Sequence, residues 1–176
     1  MSVSTRRFAV ATLLTGVIAG LVGLACIHLL HWIQAIAWDM HSGTLLNAVS
    51  AVSPSRRVGV LTLAGVVGAL SWFLLFRRNK AVTSVSAAVG GTPMPPLRAT
   101  WHALTQVLIV GLGASVGREV APREMAAAFS AAAADRLGLT PEDRRIIVAC
   151  GAGAGLAAVY SIPLSGAIYT LEILLV

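Results

Sequence analysis

The sequence predicts an all-α, polytopic membrane protein, and three observations carry that prediction. First, 57% of the 176 residues are hydrophobic and only 11% are charged, whereas a soluble domain carries about 45–50% apolar and about 25% charged residues. Second, Phe8 to Trp38 is a 31-residue run without Asp, Glu, Lys or Arg, and Val58 to Phe76 is a second such run of 19 residues. Third, beyond Lys80 the apolar pieces become short and are broken by Gly and Pro. The composition excludes an ordinary soluble enzyme, a disordered tail and a DNA-binding module.

The first run would be about 46 Å long as a helix, well beyond a hydrocarbon core of about 30 Å. It is expected to tilt or to extend into the interface, where His28, His31, Trp32 and Trp38 would sit comfortably. It is also too long for the apolar region of a cleaved signal peptide. The second run, flanked by Arg56-Arg57 and Arg77-Arg78, fits one ordinary crossing. The later pieces are Leu97–Val116, Val120–Ala134, Arg144–Val159 and Pro163–Val176, several of them too short to cross comfortably. Interrupted segments are tolerated only where protein or a watery cavity satisfies the loose backbone groups, and in transporters they mark the binding site. The breaks fall at Gly90–Pro95, Gly117-Arg118-Glu119 and Ser161-Ile162-Pro163.

Thirteen basic residues face seven acidic ones, and their placement gives an orientation. With Arg6 and Arg7 in the cytoplasm, the Asp39–Arg57 loop lies outside, and Arg77, Arg78 and Lys80 return inside. The Asp135–Arg145 loop adds Arg136, Arg144 and Arg145. Eight basic residues are then inside and two, Arg56 and Arg57, outside, which satisfies the positive-inside preference. The surplus charge is therefore topological, and no nucleic-acid partner is expected, since no basic patch interleaves with stacking aromatics. Cys26 and Cys150 each lie in apolar sequence and are expected to act as small core residues, not as a disulfide or metal site. Gly16-x-x-x-Gly20 and Ala149–Gly155 are expected to let helices approach closely. Neither has dinucleotide spacing, and a Walker A loop is absent from the sequence. No cofactor is implied.

Arg118-Glu119 stands in otherwise apolar sequence. A charge at the bilayer centre costs at least about 2.5–3.5 kcal/mol, so such residues are kept where they face a cavity or a pathway. A helical stretch follows from Val120, with Pro122 in its first turn, and the free N–H groups of Val120 and Ala121 would form a site for an anion. A carboxylate at the same spot competes with that anion, so protonation or displacement of Glu119 would open the site. A structural Arg118–Glu119 ion pair is the plainer alternative. Gly90–Pro95 cannot be regular helix, and its amides and the Thr92 hydroxyl are expected to face the same centre from the other side.

Gly-Gly-Thr-Pro-Met-Pro from Gly90, then Gly117-Arg118-Glu119, then the stretch from Ala149 through Tyr160-Ser-Ile-Pro163 to Glu172 together resemble the CLC family of chloride channels and halide/proton antiporters. The resemblance covers the family's first inverted repeat. It implies the N-terminal half of the inverted-repeat fold, in one transmembrane domain over residues 1–176, with tilted and broken helices and the second repeat absent. It implies a chloride (halide) channel or anion/proton antiporter subunit, multi-pass in the plasma or inner membrane, with its N-terminus cytoplasmic. Partners would be chloride or another halide, protons and the lipid bilayer, with a homodimer or a complementary half completing the assembly. Glu119 would be the gate; Gly91, Thr92, Pro93, Met94, Gly117, Arg118, Val120 and Ala121 would bind the anion. The family motif Gly-Arg-Glu-Gly-Pro departs here to Val120-Ala121-Pro122, and Ile173 stands where antiporters often carry a second, proton-accepting glutamate. Met94 and the altered pore motif also resemble the fluoride-exporting branch.

Two further readings stand beside this one. A truncated, non-conducting fragment would need a partner half, because the family's second repeat supplies a coordinating tyrosine that Tyr160 and Tyr169 cannot replace. An intramembrane protease would use Ser115 in Gly113-Ala114-Ser115, which resembles the Gly-x-Ser-Gly of rhomboids. However, Val116 replaces the needed glycine, and all four histidines (His28, His31, His41, His102) precede the serine. An enzyme is not expected.

Overall fold

The computed structural model describes residues 3–77 and 82–175. Among the described residues there are eight α-helices and no strand. They are α1 (Val3–Trp38), α2 (Leu45–Ala51), α3 (Pro54–Phe76), α4 (Val85–Val89), α5 (Pro96–Gly111), α6 (Val120–Arg136), α7 (Pro141–Tyr160) and α8 (Pro163–Tyr169), the last running into a π-turn over Thr170–Leu174. Arg78, Lys80 and Val176 lie outside the described residues.

Local chemistry sets the boundaries. Thr44, Ser53, Ser84 and Thr140 each turn a side-chain oxygen to an amide in the following helix, which meets one of the donors a helix start leaves open. Proline follows directly at Pro54 and Pro141, where its missing N–H does no harm. α3 therefore begins four residues before the apolar run at Val58. α5 stops at Gly111 rather than continuing to Val116. Gly113 (φ 93°) reverses the chain, and the amides of Gly113 and Ala114 close back onto Val110 and Ile109 at 2.9 Å each. α2 and α4 were not expected; with 7 and 5 residues they are too short to show a helical period.

The Gly90–Pro95 break also differs from its expected role, because it terminates α4. Gly90, Gly91 and Thr92 donate their amides to Ser86, Ala88 and Ala87 at 2.9, 3.1 and 2.9 Å, a left-handed helix stop. Pro93 and Pro95 have no N–H to offer. Gly91 holds φ at 99°, where a Cβ costs about 1–2 kcal/mol. Gly91→Ala is accordingly expected to lower the melting temperature of purified protein by a few degrees, and an unchanged melt would contradict the stop.

Packing is small inside and large outside. Ala126, Ala127, Ala128 and Ala134 of α6 and Ala149 and Ala152 of α7 are fully buried, while Leu13, Val17 and Leu21 of α1 and Val58, Val66 and Phe73 of α3 are at least half exposed. That suits a solvent as apolar as leucine, in which helices are held by close contact instead of water exclusion. α6 and α7 form the most extensive helix pair, and α1 crosses both. Of the small-residue stretches, Ala149–Gly155 performs as expected: Gly151 lies against Ser130 and Gly155 against the Pro122 carbonyl. Gly16 and Gly20 do not, since nothing approaches within 4 Å of where their Cβ atoms would be; Gly23 makes the close α1–α7 contact, at Ala158. Trp38, expected in the interface, is 1% exposed and donates from Nε1 to Gly111 O at 3.0 Å. His28, His31 and Trp32 are exposed. Cys26 is buried, Cys150 half-buried, and both are free.

Arginines finish several helix ends. Arg56 donates to Ile36 O and Ala37 O at the end of α1, both at 3.0 Å. Arg57 reaches Ser50 O and Val52 O past α2, Arg98 reaches Leu75 O of α3, and Arg144 reaches Ala88 O of α4 while pairing with Asp135. These guanidiniums meet carbonyls at helix C-terminal ends, Ala88 O being shared with the Gly91 amide, and each opposes the negative end of a helix dipole.

Candidate anion site

The Arg118-Glu119 break lies between the Gly113 reversal and the start of α6, and Glu119 is the N-cap residue of α6. Its side chain makes no capping bond to the helix. The carboxylate instead folds back over Gly117, where an added Cβ would fall directly on it. It accepts a long hydrogen bond, 3.4 Å, from the Tyr160 hydroxyl at the end of α7. Arg118 lays its guanidinium over the ring of the same Tyr160, 4.9 Å from the centroid, a cation–π contact. Among the described residues no Arg118–Glu119 ion pair is present, so the plain structural pair is not what the geometry holds.

The chemical result is a helix start facing an uncommitted carboxylate. The first turn of α6 presents the amides of a helix start, which lack carbonyl partners within the helix, and Pro122 has no N–H. Their partial positive charge is of the kind that anions occupy. Beside them is a cavity of about 150 Å³ lined by Gly117, Arg118 and Ala121 together with Leu30, His31 and Gln106. Arg118 and His31 at this cavity are exposed, and Gln106 is buried.

The expected site residues are not brought to one place. Gly117, Arg118 and Ala121 line this cavity, and Val120 and Glu119 lie at the same helix start. Pro93 and Met94 line a separate pocket with Thr83 and Arg98, and Thr92 and Gly91 are exposed. Tyr160 was not foreseen as a partner of Glu119, because 41 residues separate them and no spacing rule connects them. Ser115 is exposed, and among the described residues it makes no hydrogen bond to a histidine, as a rhomboid-like site would require. His102 is instead engaged with Glu124.

The sequence profile of the family described as "Voltage gated chloride channel" matches residues 65–176, well over half of the chain. The chain belongs to the voltage-gated chloride channel family. Relatives include the proteins named "Voltage-gated ClC-type chloride channel ClcB" of Salmonella dublin and Salmonella typhi, each 33% identical over 175 residues. The protein of the same name from Citrobacter koseri is 31% identical over the same length. In each case the match covers 96% of this chain and 41% of the relative, so the chain spans about two-fifths of the length of the curated relatives it matches. No solved structure matches it. Membership in the chloride channel family makes this an all-α polytopic membrane protein, of a family of channels and transporters rather than enzymes. Among the described residues, the helices that meet the length and hydropathy of a membrane span are α1 and α3; the shorter α5 to α8 are the broken segments of the fold.

Proposed function

We propose that this chain supplies one half of a chloride-conducting pathway, with Glu119 as its gate. The observation that carries the reading is the uncapped start of α6, where the Glu119 carboxylate is tethered beside open amides yet bonds only the Tyr160 hydroxyl at 3.4 Å. An ionised carboxylate so placed competes with a passing anion for the same positive end, and a protonated or displaced one gives way. Val120 and Ala121 contribute amides, Gly117 gives the carboxylate room to swing, and Arg118 supplies positive charge at the cavity. Gly91 and Thr92 take a lesser part, because their amides already close α4, and Pro93 and Met94 form a second pocket away from the gate. Ile173, at the position of the family's inner proton acceptor, favours anion conduction over the usual coupled exchange. The positive-inside distribution supports a cytoplasmic N-terminus in the plasma membrane, and the other half of the pathway comes from sequence beyond this stretch of chain, a second copy or a complementary half.

Glu119→Gln keeps the shape and removes the charge; Glu119→Ala removes both. In a conducting assembly reconstituted in liposomes, either change is expected to flatten the dependence of anion flux on pH, since no gate remains to be protonated. Arg118→Ala, normalised to folded protein, is expected to change flux while preserving the shape of the pH profile. An unaltered pH profile in Glu119→Gln removes the gating assignment.

A further inference from the structure

Arg123, a cation inside the bundle, meets only neutral groups. Arg56, Arg57, Arg98 and Arg145 donate to backbone carbonyls, and Arg144 pairs with Asp135. Arg123, one turn into α6 and half-buried, has neither kind of partner. Among the described residues no carboxylate lies within ion-pair distance of it. Its hydrogen bond runs from Nη1 to the Tyr169 hydroxyl, 3.0 Å away, and the guanidinium carbon is 5.9 Å from the centroid of the same ring. Its Nε is buried without any partner.

A charge within a membrane segment is costly and is kept where it faces a pathway or a partner. Arginine has no neutral form to retreat to at working pH. Tyr169 supplies an acceptor oxygen and a ring near the limit of about 6 Å for cation–π attraction, but no charge. Having accepted from Arg123, the phenol keeps its own proton to donate elsewhere. Free N–H groups and a free O–H at one point call for an acceptor. The unmet positive charge calls for that acceptor to be an anion.

The geometry also chooses between kinds of anion. A carboxylate grips a guanidinium side by side, through two parallel N–H groups. Here Nε is shielded and Nη1 is committed to Tyr169, so no complete fork is left open. The remaining N–H groups and the phenol proton suit a small spherical ion, which accepts from any direction. Arg123 follows Glu119 by four residues, about 6 Å along the helix and on nearly the same side of it. We infer that Arg123 and Tyr169 form a second binding point for a small monovalent anion, one turn of α6 on from Glu119. The choice of chloride as that anion rests on the reading above, whereas the donor geometry does not. An ion held there stands next to the gate without using the amides at the start of α6.

The test is ¹H–¹⁵N NMR of the arginine Nε–H groups of the full 176-residue protein in lipid nanodiscs, the Arg123 signal being the one lost in Arg123→Lys. Sodium chloride replaces the bulky sodium isethionate at constant ionic strength. The expected result is a saturable shift of the Arg123 signal. Its apparent affinity is expected to fall about two- to tenfold in Tyr169→Phe, the worth of one hydrogen bond. The shift is expected to persist in Glu119→Gln, which removes the tethered charge. An Arg123 signal that stays put, or that drifts without saturating, overturns the proposal, as does an affinity unchanged in folded Tyr169→Phe or a shift lost in Glu119→Gln. A shift produced by sodium acetate and not by chloride also overturns it, and assigns Arg123 to a carboxylate of the complementary half. If Tyr169→Phe does not fold, the wild-type titration alone decides. Binding is measured and no anion flux, so failure here is distinct from failure of the Glu119 gate.

Discussion

Gly155→Leu is expected to leave almost no recoverable folded protein. A Cβ at Gly155 would lie against the Pro122 carbonyl of α6 and 2.9 Å from Ala126 Cβ. Overpacking ordinarily costs about 1–3 kcal/mol. The obstruction here is helix backbone, which cannot rotate aside, and α6 is held on its other faces by α1 and α5. The loss should therefore exceed about 3 kcal/mol, a large part of the ~5–15 kcal/mol that holds a typical fold together. Fluorescence-detected size-exclusion chromatography should show the monodisperse peak replaced by aggregate. Gly20→Leu is the control: its Cβ position is open, and the variant should run like the parent. Equal behaviour of the two variants would contradict the close α6–α7 contact.

Trp38→Ala is expected to cost about 3–5 kcal/mol. Trp38 is among the largest fully buried side chains. It fills the space beneath the reversal that ends α5, and its ring lies 2.9 Å from where a Cβ on Gly113 would sit. It also holds the Gly111 carbonyl through its indole N–H. Trp38→Phe separates the two contributions: it keeps most of the packing and leaves that carbonyl unmet, a loss of about 1–3 kcal/mol. Thermal melts in detergent should rank parent, Phe and Ala in that order. If Ala melts with the parent, Trp38 does not support the α5–α6 connection that carries Glu119.

Much of the fold was readable because its signals are local. Charge-free runs gave α1 and α3, and the glycine and proline breaks between shorter apolar pieces gave α5 to α8, while α2 and α4 went unseen. Arg118-Glu119 stood out because two charges in apolar sequence have few reasons to exist. What sequence could not show was contact between distant positions. His102 and Glu124 each look like a lone polar residue, and only the α5–α6 crossing makes them a pair. Tyr160 meets Glu119 because α7 returns to the start of α6. Gly90–Pro95 was misjudged for another reason: a glycine-proline break signals interruption without saying whether its amides face outward or close the preceding helix, and α4 was too short to be noticed.

The arginines at the helix ends have a use that charge counting does not show. During insertion a segment is oriented by how many positive charges flank it, and lysine counts there as well as arginine. In the finished protein Arg56 engages two successive carbonyls, Ile36 O and Ala37 O, with one planar group, a fork that an ammonium cannot copy. In the orientation read from the charges Arg56 is one of the two basic residues outside, so its charge does not set that orientation, and what it contributes is the clasp on the end of α1. A lysine there would carry the same charge through insertion and leave the two carbonyls without a planar fork to hold them.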